Sequence, residues 1–200
     1  MTYALPAGPQ PAPKRQVLLA TAVAVAAGST MFAGMLGVWL RFRAAAPLRE
    51  GDKRPLIKDW LPDNVTIPEV PTNVMLITVG VACVMAQWAV YAAKRRDRSH
   101  TVLSLGITAI MGLALLNGQV FTYTQMDIGV GENAYGALFY AITGTFMALL
   151  IAGLVMTVAA MVRYLGGRVA ERDLIAAHAL IWYFLAAVYT ALWFVVYVQK

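Results

Sequence analysis

The chain has 200 residues, 60% of them hydrophobic and only 13% charged, with a formal net charge of +6. Globular chains are about 45–50% apolar and about 25% charged, so composition excludes an ordinary soluble domain, and the mean hydropathy of +0.65 agrees. Intrinsic disorder is excluded by the same apolar content. A disulfide scaffold is excluded because Cys83 has no partner, and two histidines with one cysteine leave few ligands for haem, copper or zinc.

A membrane span needs about 20 mostly apolar residues. Five segments meet that requirement: Gln16 to Leu40, Val74 to Ala93, Val102 to Tyr123, Ala137 to Val162 and Leu174 to Val198. Each is apolar all round, as lipid and neighbouring helices require, and too long for a strand. The pattern predicts an all-α integral membrane protein with five transmembrane helices in one bundle. The first segment reads as a retained helix rather than a signal peptide. It exceeds an h-region of about 7–15 residues and ends in Trp39 and Arg41, without a small-residue cleavage site.

Orientation follows from Lys and Arg in the short connections. Residues 94–98 carry Lys94, Arg95, Arg96 and Arg98, whereas Thr124 to Ala134 carries only Asp127 and Glu132. This predicts a cytoplasmic N-terminus and an external C-terminus. The basic surplus then serves as an anchor at an anionic leaflet and requires no nucleic acid. Residues 1–15, with Pro6, Pro9, Pro11 and Pro13, read as an extended cytoplasmic tail. Residues 41–73 form an external loop in which five prolines, Pro71 the last, argue against a long helix. Trp60 and Leu61 are placed at the interface. No internal repeat supports an inverted-repeat transporter.

Ionisable groups inside spans are functional candidates. The first four segments contain none, and the fifth contains only His178, near its cytoplasmic end. His178 reads as an interfacial or interhelical hydrogen-bonding residue and His100 as a solvated one. Gln87, Asn117 and Gln119 are amides at depth, and each is expected to hydrogen-bond across helices, since burying an unpaired amide costs roughly 1–3 kcal/mol. Gly136, Gly144, Ala148 and Ala152 predict a small-residue packing ridge on the fourth span, and Ala33, Gly34 and Gly37 another on the first. Trp193 and Tyr197 fit an outer aromatic belt, while Trp182 and Tyr183 read as deeper packing or acyl-chain contacts. There is no phosphate-cradling glycine loop, HExxH, nucleophile elbow or CxxC. The residues alone therefore point to a structural or accessory membrane subunit.

Several stretches resemble subunit III of the haem–copper cytochrome c oxidases, in the short five-helix form found in actinobacteria. Gln87-Trp-Ala-Val-Tyr-Ala-Ala-Lys-Arg-Arg-Asp97 is similar to the family's Q-x-x-V-F-A-A-E-R-G-D. Ala134-Tyr-Gly-Ala-Leu-Phe-Tyr-Ala-Ile-Thr-Gly144 resembles A-Y-G-S-x-F-Y-x-x-T-G, and Gly118-Gln119 followed by Tyr123 resembles G-Q-x-x-E-Y. Trp182-Tyr-Phe-Leu-Ala-Ala-Val-Tyr189 follows W-H-F-V-D-x-V-W, and Met31-Phe-Ala-Gly34 echoes F-F-A-G. All five occur in the family's order, on the expected spans.

The departures share one character. The family's glutamate before F-F-A-G is Gly28 here, and the glutamate of its Q-x-x-E-Y is Thr122. Its F-H-x-x-H stands as Thr145-Phe146-Met147-Ala148-Leu149, without either histidine. Tyr183 and Ala186 replace the histidine and aspartate of W-H-F-V-D. Every change removes an ionisable group, so proton delivery through those positions is lost while structural support survives.

The resemblance implies an accessory subunit of an aa3-type oxidase in a bacterial cell membrane. It would pack against subunit I, with subunit II and small subunits nearby, in a complex that reduces O2 and moves protons. A supercomplex with a cytochrome bc-type complex is a further expectation. Haem a and copper would lie in partner subunits, none in this chain, and phospholipid would bind in the bundle. Gln87, Gln119, Tyr123, Gly144 and Trp182 are the expected lipid or interhelical packing contacts. Two other readings remain: an accessory protein of a nitric oxide reductase, and a stand-alone transporter or small membrane enzyme.

Overall fold

In a computed structural model of the protein, the described residues are 15–49, 57–58, 60–62, 65–126, 128–167 and 172–199. The expected tail over residues 1–15 except for Arg15, much of the charged part of loop 41–73, Asp127, Arg168 and Lys200 lie outside them. Five long helices carry the fold: α1 (Gln16–Ala45), α2 (Glu69–Lys94), α3 (Arg98–Met126), α4 (Ala134–Leu165) and α5 (Arg172–Leu192). α5 continues into a π-helical turn over Trp193–Val198. All five are long and apolar enough to cross a membrane. Even α2, with 26 residues, spans about 39 Å at 1.5 Å per residue, against a hydrocarbon core of about 30 Å.

The helices enclose the five apolar segments and run past most of their ends. α2 starts five residues before Val74 and includes Pro71. Pro71 falls in the first turn, where its missing N–H has no intrahelical acceptor to lose. The loop before it also holds a small element absent from the sequence expectation. Two-residue strands β1 (Leu48–Arg49) and β2 (Ile57–Lys58) pair antiparallel. Such short strands leave no hydrophobic period to read.

Local chemistry marks the turns. Arg96 has φ 58° between α2 and α3, and the next residue, Asp97, accepts the backbone N–H of His100 at 3.1 Å. Asn133 caps α4 by accepting the Gly136 N–H at 2.7 Å. Gly167, with φ 84°, follows the end of α4 in the left-handed region that favours glycine.

α5 lies against α1, α2 and α4, while α3 packs between α2 and α4. The last helix is therefore the hub. The main core cluster runs along it, through Trp182, Leu185, Tyr189, Leu192 and Val196. Neighbouring lipid is as apolar as these side chains, so the bundle is held by close packing and internal hydrogen bonds rather than by removal from water. The outward faces are apolar too, as with Ile110 (61% exposed) and Val155 (64% exposed).

Candidate functional site

The polar side chains converge on α5. Trp182 is fully buried and donates its indole N–H to Thr157 Oγ1 on α4 at 3.0 Å. Tyr189 donates to the Thr72 carbonyl of α2 at 3.0 Å, and Trp193 to Asn73 Oδ1 at 2.8 Å. The Gln119 amide of α3 pairs with the Tyr197 hydroxyl, its nitrogen at 3.3 Å and its oxygen at 3.5 Å. Residues 182, 189, 193 and 197 share one face by helical spacing, and that spacing was the available signal for partners the sequence reading missed. Tyr197 is thus an inward packing residue and not part of an outer belt; only 3% of it is exposed.

Tyr123 donates to Thr143 Oγ1 at 2.8 Å and rests among Phe139 and Tyr140, with ring centroids at 5.9 and 5.0 Å. Gln119, Tyr123 and Trp182 therefore all pack inside the bundle. Gln87 does so only in part. It sits half-buried at the outer α2–α5 seam, where its carbonyl oxygen accepts the Tyr183 hydroxyl at 2.6 Å. Tyr183 is itself 43% exposed.

Further expectations need correction. His178 is wholly buried, edge-on to Trp182 at 6.4 Å, and neither ring nitrogen has a hydrogen-bond partner among the described residues. It lies on the packed side of the hub helix. Asn117 faces outward on α3 and bonds to no other helix among the described residues. The Gly144 to Ala152 part of the fourth-span ridge is not a close-packing seam among the described residues. A Cβ at Gly144 meets nothing within 4 Å, and Ala148 and Ala152 are exposed. Gly34 and Gly37 are equally open. Close approach occurs instead at Gly28, Gly112, Gly118 and Gly153, whose added Cβ atoms would meet Phe184, Trp182 with Leu154, Met75, and Leu185. Spacing along a helix identifies a row of small residues, but not which side of the helix a neighbour covers.

Helix ends are tied by charged groups. Asp173, in the first turn of α5, accepts the Val17 and Leu18 N–H groups of α1 at 3.0 and 3.3 Å. A carboxylate there satisfies free N–H groups and opposes the helix dipole. Arg98 donates to the Leu165 carbonyl at the end of α4, and Arg43 to that of Gln199. Asp97 accepts the ring of His100 at 2.6 Å as well as its backbone N–H. Those bonds hold its carboxyl below the ordinary carboxylate value.

Two clefts open at opposite ends of the bundle. One of about 500 Å³ is lined by Trp88, Tyr91, Arg95 and His100 at the α2–α3 turn. The other, about 440 Å³, lies beside Trp60 and Tyr135. Trp60 is 8% exposed, packed with Trp39 and Tyr135 at centroid distances of 5.1 and 5.6 Å. Among the described residues, no group of three or more His, Cys, Asp or Glu is placed to hold a metal ion.

Residues 16–200 match the family model for cytochrome c oxidase subunit III. The chain belongs to the cytochrome c oxidase subunit III family. A cytochrome c oxidase subunit 3 from Synechocystis is 28% identical over 62% of this chain and 52% of its own length. One from Myxine glutinosa is 28% identical over 53% of this chain and 41% of its own. The chain thus spans about half the length or less of these curated relatives. A probable cytochrome c oxidase subunit 3 from Mycobacterium tuberculosis is 26% identical over 90% of this chain and 87% of that protein.

Several small or uncharged positions are filled by close packing. At Gly28, a Cβ would lie 2.7 Å from the Phe184 ring. Thr122 is buried and donates to the Gly118 carbonyl at 2.9 Å. Gly136 faces the Gly129 carbonyl so closely that a Cβ would come within 2.6 Å.

Proposed function

We propose that this chain is the accessory subunit III of an aa3-type cytochrome c oxidase. It supports the haem–copper catalytic subunit while binding no redox metal itself. The observation that carries this reading is the family match over residues 16–200. A core built from packing and neutral hydrogen bonds supports the scaffold role. Electrons from cytochrome c, O2 reduction and proton translocation belong to the assembled complex, in a bacterial cell membrane. The N-terminus is cytoplasmic and the C-terminus external, by the distribution of Lys and Arg. Subunit I is the main partner, with subunit II and small subunits, and a cytochrome bc-type complex joins them in a supercomplex.

Phospholipid binds at the bundle surface. The cleft at the α2–α3 turn suits a lipid head group, with Arg95 for a phosphate and Trp88 and Tyr91 for the first carbons of the chains. Gln87 and Gly144 are outward contacts for lipid or a partner helix.

The test is purification of the tagged full chain in mild detergent. A haem a-containing subunit should copurify with it. Absence of any haem-bearing subunit refutes the proposal, and a spectrum without haem a moves the chain to another haem complex.

A further inference from the structure

α3 packs against α2 and α4 and leaves a third face turned outward. Ile110, Leu113, Asn117, Val120 and Phe121 lie along it at the spacing of one helix face, and all are exposed. Asn117 is chemically out of place there. α3 has 29 residues, about 43 Å, against an apolar core of about 30 Å. Asn117 stands nine residues from Met126, about 13 Å, which puts it about 7 Å inside the hydrocarbon edge.

Its amide offers two donors and an acceptor and makes no side-chain hydrogen bond among the described residues. Other outward hydroxyls at depth are treated differently. Ser29, Thr78, Thr145 and Thr190 each donate to a carbonyl of their own helix at 2.6–2.8 Å. Tyr183 donates to Gln87. Acyl chains cannot bond an amide, and head groups lie beyond its reach.

We propose that the outward face of α3 around Asn117 is an intersubunit surface. Its occupant is a transmembrane helix of another subunit that presents a hydrogen-bonding group at the depth of Asn117. Leu113 and Val120, one turn to either side, supply the close packing on which helix association in lipid depends. The inference rests on the proposed function only for which complex supplies that helix.

The test places the photo-crosslinking residue benzoylphenylalanine at position 117 of the full chain, in the complex purified in mild detergent. Illumination should yield a covalent adduct with a second membrane-spanning subunit. Because a bulky probe at 117 can block assembly, the same probe at Leu113 is read in parallel, with the same expectation. Asn117→Leu should weaken retention of that partner about three- to tenfold. Lipid-only adducts at both positions, or unchanged retention in Asn117→Leu, overturn the proposal. A haem-bearing complex without protein adducts refutes this surface and leaves the function standing. An adduct within a haem-free complex does the reverse.

Discussion

Gly112 and Gly144 both lie at mid-helix positions in small-residue surroundings, yet their environments are opposite. A Cβ at Gly112 would stand 2.8 and 2.9 Å from two Leu154 carbons and 2.9 Å from the Trp182 ring. Ordinary carbon contacts lie at about 3.5–4.0 Å, so the overlap approaches an ångström. Leu154 can turn aside. Trp182 cannot move freely, because it is fully buried and its N–H is held by Thr157 at 3.0 Å. Gly112→Ala should therefore destabilise the chain by about 1–3 kcal/mol, the usual range for an overpacked core. That corresponds to a fall in the unfolding midpoint of about 2–12 °C for a chain of this size. Gly144→Ala, with nothing within 4 Å, gains helix propensity without a clash and should leave the midpoint unchanged or raise it by up to about 4 °C. Thermal unfolding of the full chain in mild detergent compares the two. Equal losses, or a greater loss for Gly144→Ala, would refute the assignment of which glycines pack.

Asp173→Ala removes the acceptor for two N–H groups of α1 and should cost about 0.5–2 kcal/mol, read as faster amide exchange in the first turn of α1; unchanged exchange would contradict the cap. The Asp97 carboxyl is held below its ordinary 3.8 by the His100 N–H and ring. Its contribution to capping α3 is thus present above that value and is lost as pH falls through the lower, folded one. Protection of the His100 amide should drop across that acid range, and constant protection would argue against the cap. Trp182→Phe removes one buried hydrogen bond and should destabilise the bundle by about 0.5–1.5 kcal/mol, measured by the same unfolding assay. His178→Ala should leave the haem spectrum of the complex intact, since the ring sits in packing; a lost haem band would mean that this histidine is a ligand.

The five spans were legible because a long apolar run has one stable form in a bilayer, a helix that satisfies its own backbone. For Gln119, Tyr123 and Trp182 the need for a contact, lipid or interhelical, was legible as well, since a polar group at depth needs a partner. Which residue supplies it was not. Trp182 finds Thr157 and Gln119 finds Tyr197, pairings that depend on helix rotation, which an all-apolar circumference does not encode. The same ambiguity misplaced Gly144, Asn117 and Tyr197, each set by the side of its helix that a neighbour covers. The Asp173 cap joins residues 156 positions apart, and no local motif marks it.

The scaffold role is tested most directly by separating this chain from its purified complex with detergent and following haem and copper through the separation. The account predicts that all haem and copper stay with the remaining subunits, with the reduced spectrum unchanged, and that the 21.7 kDa chain emerges colourless. Haem or copper leaving in stoichiometric amount with this chain would contradict it.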